Sequence, residues 1–192
     1  MKHLAVVILA GGEGRRIGGE KPLRLLGGRR LIDRALELAN HWSKTVGVAV
    51  RDLSQVPSIG AEIVQDEAIE GPLGGLASGL KFARSQGCAF LLTIPADMPF
   101  LPPDLLDRLG ARIGQSACAM ASSGGHKHPV GALWRASTLD RLDEYVGSGG
   151  RSLKGFAALA GAVEVEWPAG PDDPFFNINS AEELAEAEKR LR

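Results

Sequence analysis

Apolar positions along this chain fall into two kinds of block. Apolar runs occupy Leu4–Leu9, Val46–Val50 and Cys88–Ile94, and the mixed stretch Ala61–Gln65 reads as a short strand. Runs without strict every-second-residue alternation predict strands covered on both faces. Between them the apolar residues recur at helical spacing. Leu31, Ile32, Ala35, Leu36, Leu38 and Ala39 make one helix face, and Leu76, Leu80 and Ala83 make another in a helix from about Gly74. Leu105, Leu106 and Leu109 make a third, started by Pro102 and Pro103, because proline is tolerated in a first turn. Ala117–Ala121 and Val130–Trp134 predict strands flanking a loop at Ser122–Pro129. Helices near Leu139–Val146 and Leu153–Leu159 follow, then a strand at Val163–Trp167. A last helix, Ala181–Leu191, is announced by a capping box of Ser180 and Glu183. Alternating strands and helices predict a single domain over residues 1–192, a three-layer α/β/α sandwich around a mostly parallel, Rossmann-like sheet.

The 192 residues are 44% hydrophobic, enough for one packed core. The formal net charge of -1 speaks against a general nucleic-acid binder, although Arg15, Arg16, Lys21, Arg24, Arg29 and Arg30 make the N-terminal region locally basic. Cys88 and Cys118 sit in apolar runs and are expected as buried free thiols, without disulfide or zinc spacing. No run approaches the ~20 apolar residues that cross a bilayer, and Leu4–Ala10 is too short for a signal peptide. The expectation is a cytoplasmic protein without a membrane or nucleic-acid partner.

In open α/β sheets, ligands bind beyond the carboxyl ends of the strands. The first strand opens into Gly11-Gly12-Glu13-Gly14-Arg15-Arg16-Ile17-Gly18-Gly19-Glu20-Lys21, where glycines admit a ligand close to backbone amides and cations match phosphates. No Gly-Lys-Ser/Thr closes this loop, so it is not a Walker A motif. A dinucleotide fingerprint fails too, since the second strand ends only near Arg51-Asp52. Asp66, Glu70 and Gly71-Pro72-Leu73-Gly74-Gly75 follow the third strand, and Pro95-Ala96-Asp97-Met98-Pro99-Phe100 follow the strand at Cys88–Ile94. Asp97, between prolines, is the best carboxylate for Mg²⁺, a hard ion that prefers oxygen ligands and phosphates; a turn aspartate is the plain alternative. Asp66 and the glycine run suit a ribose or base, or simply a strand end and a helix start. His126-Lys127-His128-Pro129 lacks further zinc ligands nearby and reads as an anion contact or a hairpin tip. Arg151 and Lys154 read as phosphate contacts or a solvated helix end, and Asn177 and Asn179 as site residues or helix caps.

The loop from Leu9 to Lys21 resembles the signature loop of nucleotidyltransferases with a glycosyltransferase-A-like fold, the nucleotide-diphospho-sugar transferase type. Within them the chain is most similar to the molybdenum cofactor guanylyltransferases. The similarity extends through Asp66 with Gly71–Gly75, Pro95–Phe100, His128-Pro129-Val130 and Phe176-Asn177-Ile178-Asn179. The Ala10-Gly11-Gly12 form of the loop resembles the guanylyl enzymes, where cytidylyl relatives tend to carry Ala-Ala-Gly. The resemblance implies transfer of GMP from GTP to the terminal phosphate of molybdopterin-bound molybdenum cofactor, with Mg²⁺ as cofactor and pyrophosphate as second product. It implies nucleotide contacts at Leu9, Ala10, Gly11, Gly12, Lys21, Asp66, Gly74 and Asp97, through backbone N–H groups in the first loop. It implies catalytic roles for Arg15, Lys21 and Asp97, with Asp97 on the metal. His128, Arg151, Asn177 and Asn179 would face the pterin, and molybdoenzymes or their chaperones would be further partners. The chain departs from its relatives near the end of the second strand, where Ala49-Val50-Arg51-Asp52 lacks their asparagine, and at Ile17, where many carry Met. A cytidylyltransferase, a sugar-phosphate or isoprenoid-precursor nucleotidyltransferase, and a non-catalytic GTP-binding adaptor for molybdoenzyme maturation are the competing readings.

Overall fold

A computed structural model describes residues 3–11, 21–51, 59–65, 69 and 71–191. In chain order its elements are β1 (Leu4–Leu9), β2 (Leu25–Leu26), β3 (Arg29–Arg30), α1 (Leu31–Trp42), β4 (Thr45–Val50) and β5 (Glu62–Gln65). Then come α2 (Pro72–Ser85), β6 (Phe90–Pro95), α3 (Leu105–Ile113), β7 (Cys118–Ser123) and β8 (His126–Arg135). The chain ends with α4 (Leu139–Gly147), α5 (Leu153–Leu159), β9 (Val163–Trp167) and α6 (Ala181–Arg190). Among the described residues, seven strands form one sheet in the order β5-β4-β1-β6-β8-β7-β9. β8 alone runs against its neighbours, so the sheet is mostly parallel as expected.

The unbroken apolar runs are explained by two covered faces. From β1, Leu4, Val6 and Ile8 enter the layer shared with α1 and α3, while Ala5 and Val7 enter the layer shared with α2, α4 and α5. Val6, Val7 and Ile8 are fully buried, and each such side chain contributes about 1.5–3 kcal/mol of transfer free energy. Helix α2 lies close on the sheet because of two glycines one turn apart. A Cβ at Gly75 would meet Leu9 Cδ2 at 2.8 Å, and one at Gly79 would meet Leu91 Cδ2 at 3.1 Å and Val7 Cβ at 3.4 Å. A third, smaller cluster of Leu26, Leu31, Ile178 and Ala187 docks α6 over the β2–β3 hairpin. There Gly27 N–H donates to Glu188 Oε1 at 2.7 Å, and the Arg190 guanidinium lies 4.1 Å from the Phe176 ring.

Several boundaries and elements differ from the sequence expectations, among them the strand expected at Cys88–Ile94, which runs Phe90–Pro95. The stretch Ser122–Pro129 is not a loop: β7 and β8 extend through it as a hairpin around Gly124-Gly125. Both glycines have positive φ, 53° and 76°, as a tight two-residue hairpin turn requires. Helix α2 begins at Pro72 rather than near Gly74, because Pro72 fits the first helical position after Gly71 at φ 74°. Helix α3 begins at Leu105, with Pro102 and Pro103 only leading into it. The β2–β3 hairpin, turning at Gly27 and Gly28, has strands too short to leave a periodic signal. The capping box at α6 is present in a shifted form. Ser180 Oγ accepts from Glu183 N–H at 3.2 Å, whereas Glu183 Oε2 accepts from Asn179 N–H at 2.5 Å. Cys88 and Cys118 are free and buried, and burial pushes both thiols up from their ordinary range.

Candidate active site

Strand β6 ends at Pro95, and the next amide, Ala96 N–H, donates to Leu9 O at 3.1 Å. That bond fixes the turn carrying Asp97 against the end of β1. The late segment is tied to the same turn, since Ile178 N–H donates to Asp97 O at 3.0 Å. Three of the expected site residues meet there. Lys21, only 8% exposed, donates from Nζ to Asp97 Oδ2 and to Asn179 Oδ1, the latter at 2.7 Å. Beside them Leu9, Ala10, Lys21, Pro22, Ala96 and Asp97 line a hollow of about 20 Å³, room for one small ion or water.

A cleft of about 230 Å³ runs across the carboxyl ends of the strands. Sheet order sets what lies along it. Ala49 and Arg51 come from the β4 end, Leu9 and Gly11 from β1, Pro95 and Asp97 from β6, and Val130 from β8. Gly71, Pro72 and Gly75 at the head of α2 form one wall, and Asn177 closes the side near Asp97. A larger groove of about 520 Å³ lies between β5 and α2, around Glu62, Val64 and Lys81. It lies apart from Lys21, Asp97 and Asn179, so the smaller cleft is the functional candidate.

The residues present fit a hard divalent cation. Asp97 offers a carboxylate at the cleft. Asn177 Oδ1 is buried and, among the described residues, without a hydrogen-bond partner. Among the described residues no three His, Cys, Asp or Glu side chains gather as a cage. One carboxylate with neutral oxygens is the donor set by which Mg²⁺ is held together with substrate phosphates and waters.

Other expected residues are placed differently. Ala10 N–H is already donated to Ala49 O at 2.9 Å, so it extends the sheet ladder instead of meeting a ligand. Gly74 is buried in the first turn of α2 with its N–H on Gly71 O at 3.1 Å; its neighbour Gly75 lines the cleft. Arg151 is exposed, and its guanidinium binds Val146 O at 3.0 Å and Gly150 O at 2.8 Å. It satisfies carbonyls at the end of α4 and is not brought to the Lys21–Asp97 pair. His128 lies on β8, stacked on Phe175 with ring centroids 4.6 Å apart. Burial lowers its basicity, opposed by Asp173 and Glu166. Gly12, Arg15 and Asp66 lie outside the described residues. The local basicity of the N-terminal region is partly neutralised, since Arg30 pairs with Asp33 at 2.7 Å and Arg29 with Glu37 at 2.8 Å. Pro72, Gly75 and Val130 line the cleft without having been singled out as site residues. Each had a sequence signal, Pro72 and Gly75 in the run Gly71–Gly75 and Val130 in His128-Pro129-Val130.

Residues 6–162 match the model of the MobA-like NTP transferase domain. The molybdenum cofactor guanylyltransferase of Rhodobacter capsulatus is 40% identical over 193 residues, spanning 99% of this chain and 97% of that protein. The enzyme of the same description from Cereibacter sphaeroides is 38% identical over 188 residues, 97% of this chain and 96% of the other. Among solved structures, molybdopterin-guanine dinucleotide biosynthesis protein A from Archaeoglobus fulgidus superposes with a TM-score of 0.76 at 26% identity, covering 97% of this chain and 98% of that one. Sequence and fold agree on a nucleotidyltransferase, and the chain belongs to the MobA-like NTP transferase family.

Proposed function

We propose that this protein transfers GMP from GTP to the terminal phosphate of molybdenum cofactor, releasing pyrophosphate and forming the guanine dinucleotide. The meeting of Lys21 and Asn179 at Asp97, which lines the cleft, carries this reading. Phosphoryl chemistry needs positive charge and oxygen ligands at one point, and this is where the chain supplies both. The acceptor phosphate attacks the α-phosphorus of GTP and pyrophosphate leaves, so no protein nucleophile is required. The work is positioning and charge neutralisation.

The proposal puts the two substrates on opposite sides of that point, a division that the sheet order supports. The Arg51, Gly71 and Gly75 end, toward β4, takes the nucleoside. The Val130 and Asn177 end, toward β8, takes the acceptor. Lys21 holds phosphate oxygens, and to do so its ammonium must leave the Asp97 carboxylate. Asp97 and Asn177 would hold Mg²⁺, which would supply positive charge to neutralise the phosphates. Gly12, Arg15 and Asp66 belong to the same proposal through the family pattern, with Arg15 on the departing pyrophosphate and Asp66 on guanosine. A cytoplasmic location and delivery of product to molybdoenzymes or their chaperones complete the reading. Among the described residues no helix is long and apolar enough to cross a membrane.

Calorimetric titration with GTP, CTP and ATP in the presence of Mg²⁺, joined to an assay of pyrophosphate release with molybdenum cofactor, tests the proposal. Binding and turnover with GTP alone are expected. Turnover with CTP and not GTP would replace guanylyl by cytidylyl transfer. Binding of GTP without pyrophosphate release from any acceptor would leave only an adaptor.

A further inference from the structure

Ser123, His128 and Asp173 form a hydrogen-bonded chain, with His128 two residues along β8 from Val130, which lines the cleft. Ser123 ends β7 and is fully buried. Its hydroxyl oxygen lies 2.8 Å from His128 Nε2, and the hydroxyl donates to Asp173 Oδ2 at 3.0 Å. A hydroxyl has one proton to give. Given to Asp173, it leaves only oxygen lone pairs toward His128, so Nε2 must carry a proton and donate it. The order is His128 to Ser123 to Asp173. In a nucleophilic triad the imidazole instead accepts the serine proton and the carboxylate holds the other ring nitrogen. Buried, and with its proton committed to Asp173, Ser123 is no nucleophile.

The same carboxylate also fixes the plane of the imidazole. Asp173 Oδ1 accepts from Phe175 N–H at 2.9 Å, and the Phe175 ring stacks on His128 with an interplanar angle of 9°. Phe175 in turn meets Trp167 edge-on at 5.4 Å. Just past His128 the pairing of β8 with β7 slips: Met120 faces Ala132 but Ala121 faces His128, so residues 129–131 have no partner on β7. Val130, within that irregularity, lines the cleft. Bulges of this kind re-aim side chains beside binding sites.

We infer that Ser123 and Asp173 are positioning residues for the acceptor substrate: through His128 they select the ring tautomer protonated at Nε2 and leave Nδ1 as the nitrogen that meets the acceptor. Among the described residues Nδ1 makes no hydrogen bond. The charged and titratable groups that face the ring are Asp173, Glu166 on β9 and His126 on its own strand, and burial outweighs them in favouring the neutral form. A neutral ring of this tautomer offers Nδ1 as an acceptor, suited to an N–H donor of a nitrogen heterocycle. The inference rests on the proposed function for the identity of that heterocycle.

Nitrogen-15 NMR of histidine-labelled protein tests the tautomer without substrate. The His128 ring is expected with its proton on Nε2, and Ser123→Ala is expected to give a mixture of tautomers. A His128 ring protonated on Nδ1 alone in the unaltered protein overturns the inference. Kinetics test the positioning role. Ser123→Ala is expected to raise KM for molybdenum cofactor about tenfold while KM for GTP changes less than about twofold, the size expected for one misdirected hydrogen bond. In a His128→Ala background the Ser123→Ala change is expected to add nothing further. Equal rises in both KM values, or effects that add in the double variant, overturn it. Should the protein make no dinucleotide from GTP, the proposed function falls while the NMR result still decides the tautomer.

Discussion

Lys21 and Asp97 are 76 positions apart in the chain and form one ion pair, with the ammonium shared by Asn179 at 2.7 Å. Each partner arrives on a separate connection: the turn after the first loop, the turn after β6, and the segment leading into α6. A positive charge therefore already stands on the carboxylate that the proposed function gives to the metal. The pair satisfies both partners in the free protein, and in the proposed reaction it would have to separate for Lys21 to meet phosphate oxygens.

That relationship predicts how two substitutions divide. Asp97→Asn keeps an oxygen acceptor for Lys21 but removes the charge. Turnover is expected to fall by about 10²–10³-fold, the size found for loss of one electrostatic contact to developing charge, with the melting temperature moved little. Lys21→Ala strips both Asp97 and Asn179 of their donor. It is expected to lose activity and also about 1–3 kcal/mol of stability, the cost of leaving the part-buried Asp97 carboxylate unpaired, whereas the exposed Asn179 can turn to water. Pyrophosphate release and thermal melts on the two variants decide. Full activity in Asp97→Asn would remove this carboxylate from the reaction.

The close approach of α2 to the sheet makes a second pair of substitutions informative. Gly79→Ala places a methyl group 3.1 Å from Leu91 Cδ2 and 3.4 Å from Val7 Cβ, on fully buried neighbours. Overpacking of this kind costs about 1–3 kcal/mol, and denaturant unfolding should show it as a lower midpoint with unchanged slope. Gly75→Ala presses on Leu9 at 2.8 Å, where both residues line the cleft. Its expected signature is weaker GTP binding by titration, beyond the loss of stability it shares with Gly79→Ala. Unchanged GTP affinity would show that this wall does not touch the nucleotide.

These positions also show what the sequence made legible. The runs Leu4–Leu9 and Cys88–Ile94 announced buried strands because both faces are covered, so no alternation was left to confuse them with solvated ones. Asp97, Lys21, Asn177 and Asn179 were legible as candidates because each follows or precedes an element end at the ligand side of the sheet. Their mutual geometry was not, since it depends on tertiary contacts such as Ile178 N–H to Asp97 O. The full length of the β7–β8 hairpin was hidden by polar composition: Ser122, Ser123, His126 and Lys127 look like loop, yet each is paired across the ladder. Gly124-Gly125 was the missed signal, a turn pair that fits a two-residue connection. Arg151 was open to two readings for a related reason. A cation after a glycine turn fits phosphate binding and helix capping equally well, and only the positions of the α4 carbonyls separate the two.

His128 gives the protein a pH dependence of known sign. Burial holds the folded-state imidazole below its ordinary value of about 6.5, so the unfolded chain binds the proton more readily. Its contribution is present in full above about pH 6.5 and is lost as pH falls through the lower folded value, where a partly buried ring must charge. Thermal stability is expected to decline from pH 7.5 to pH 5.5 in the unaltered protein. A His128→Gln variant keeps a donor for Ser123 but cannot titrate, so its decline should be shallower. Parallel curves for the two proteins would assign the acid sensitivity elsewhere.

Asn177 is expected to separate stability from activity in the opposite direction to Gly79. Its Oδ1 is buried and, among the described residues, has no hydrogen-bond partner, although it stands at the wall of the cleft near Asp97. An unpaired buried acceptor costs about 1–3 kcal/mol in the free protein, a cost that a bound cation or a donor on the substrate would relieve. Removing the amide should therefore leave the free protein as stable as before, or more so, and weaken only the liganded state. For Asn177→Ala the melting temperature without ligand is expected to hold or rise, while the rise on adding GTP with Mg²⁺ and molybdenum cofactor shrinks and turnover falls by at least about tenfold. A variant that melts lower but turns over normally would make Asn177 a structural residue whose oxygen has found its partner elsewhere.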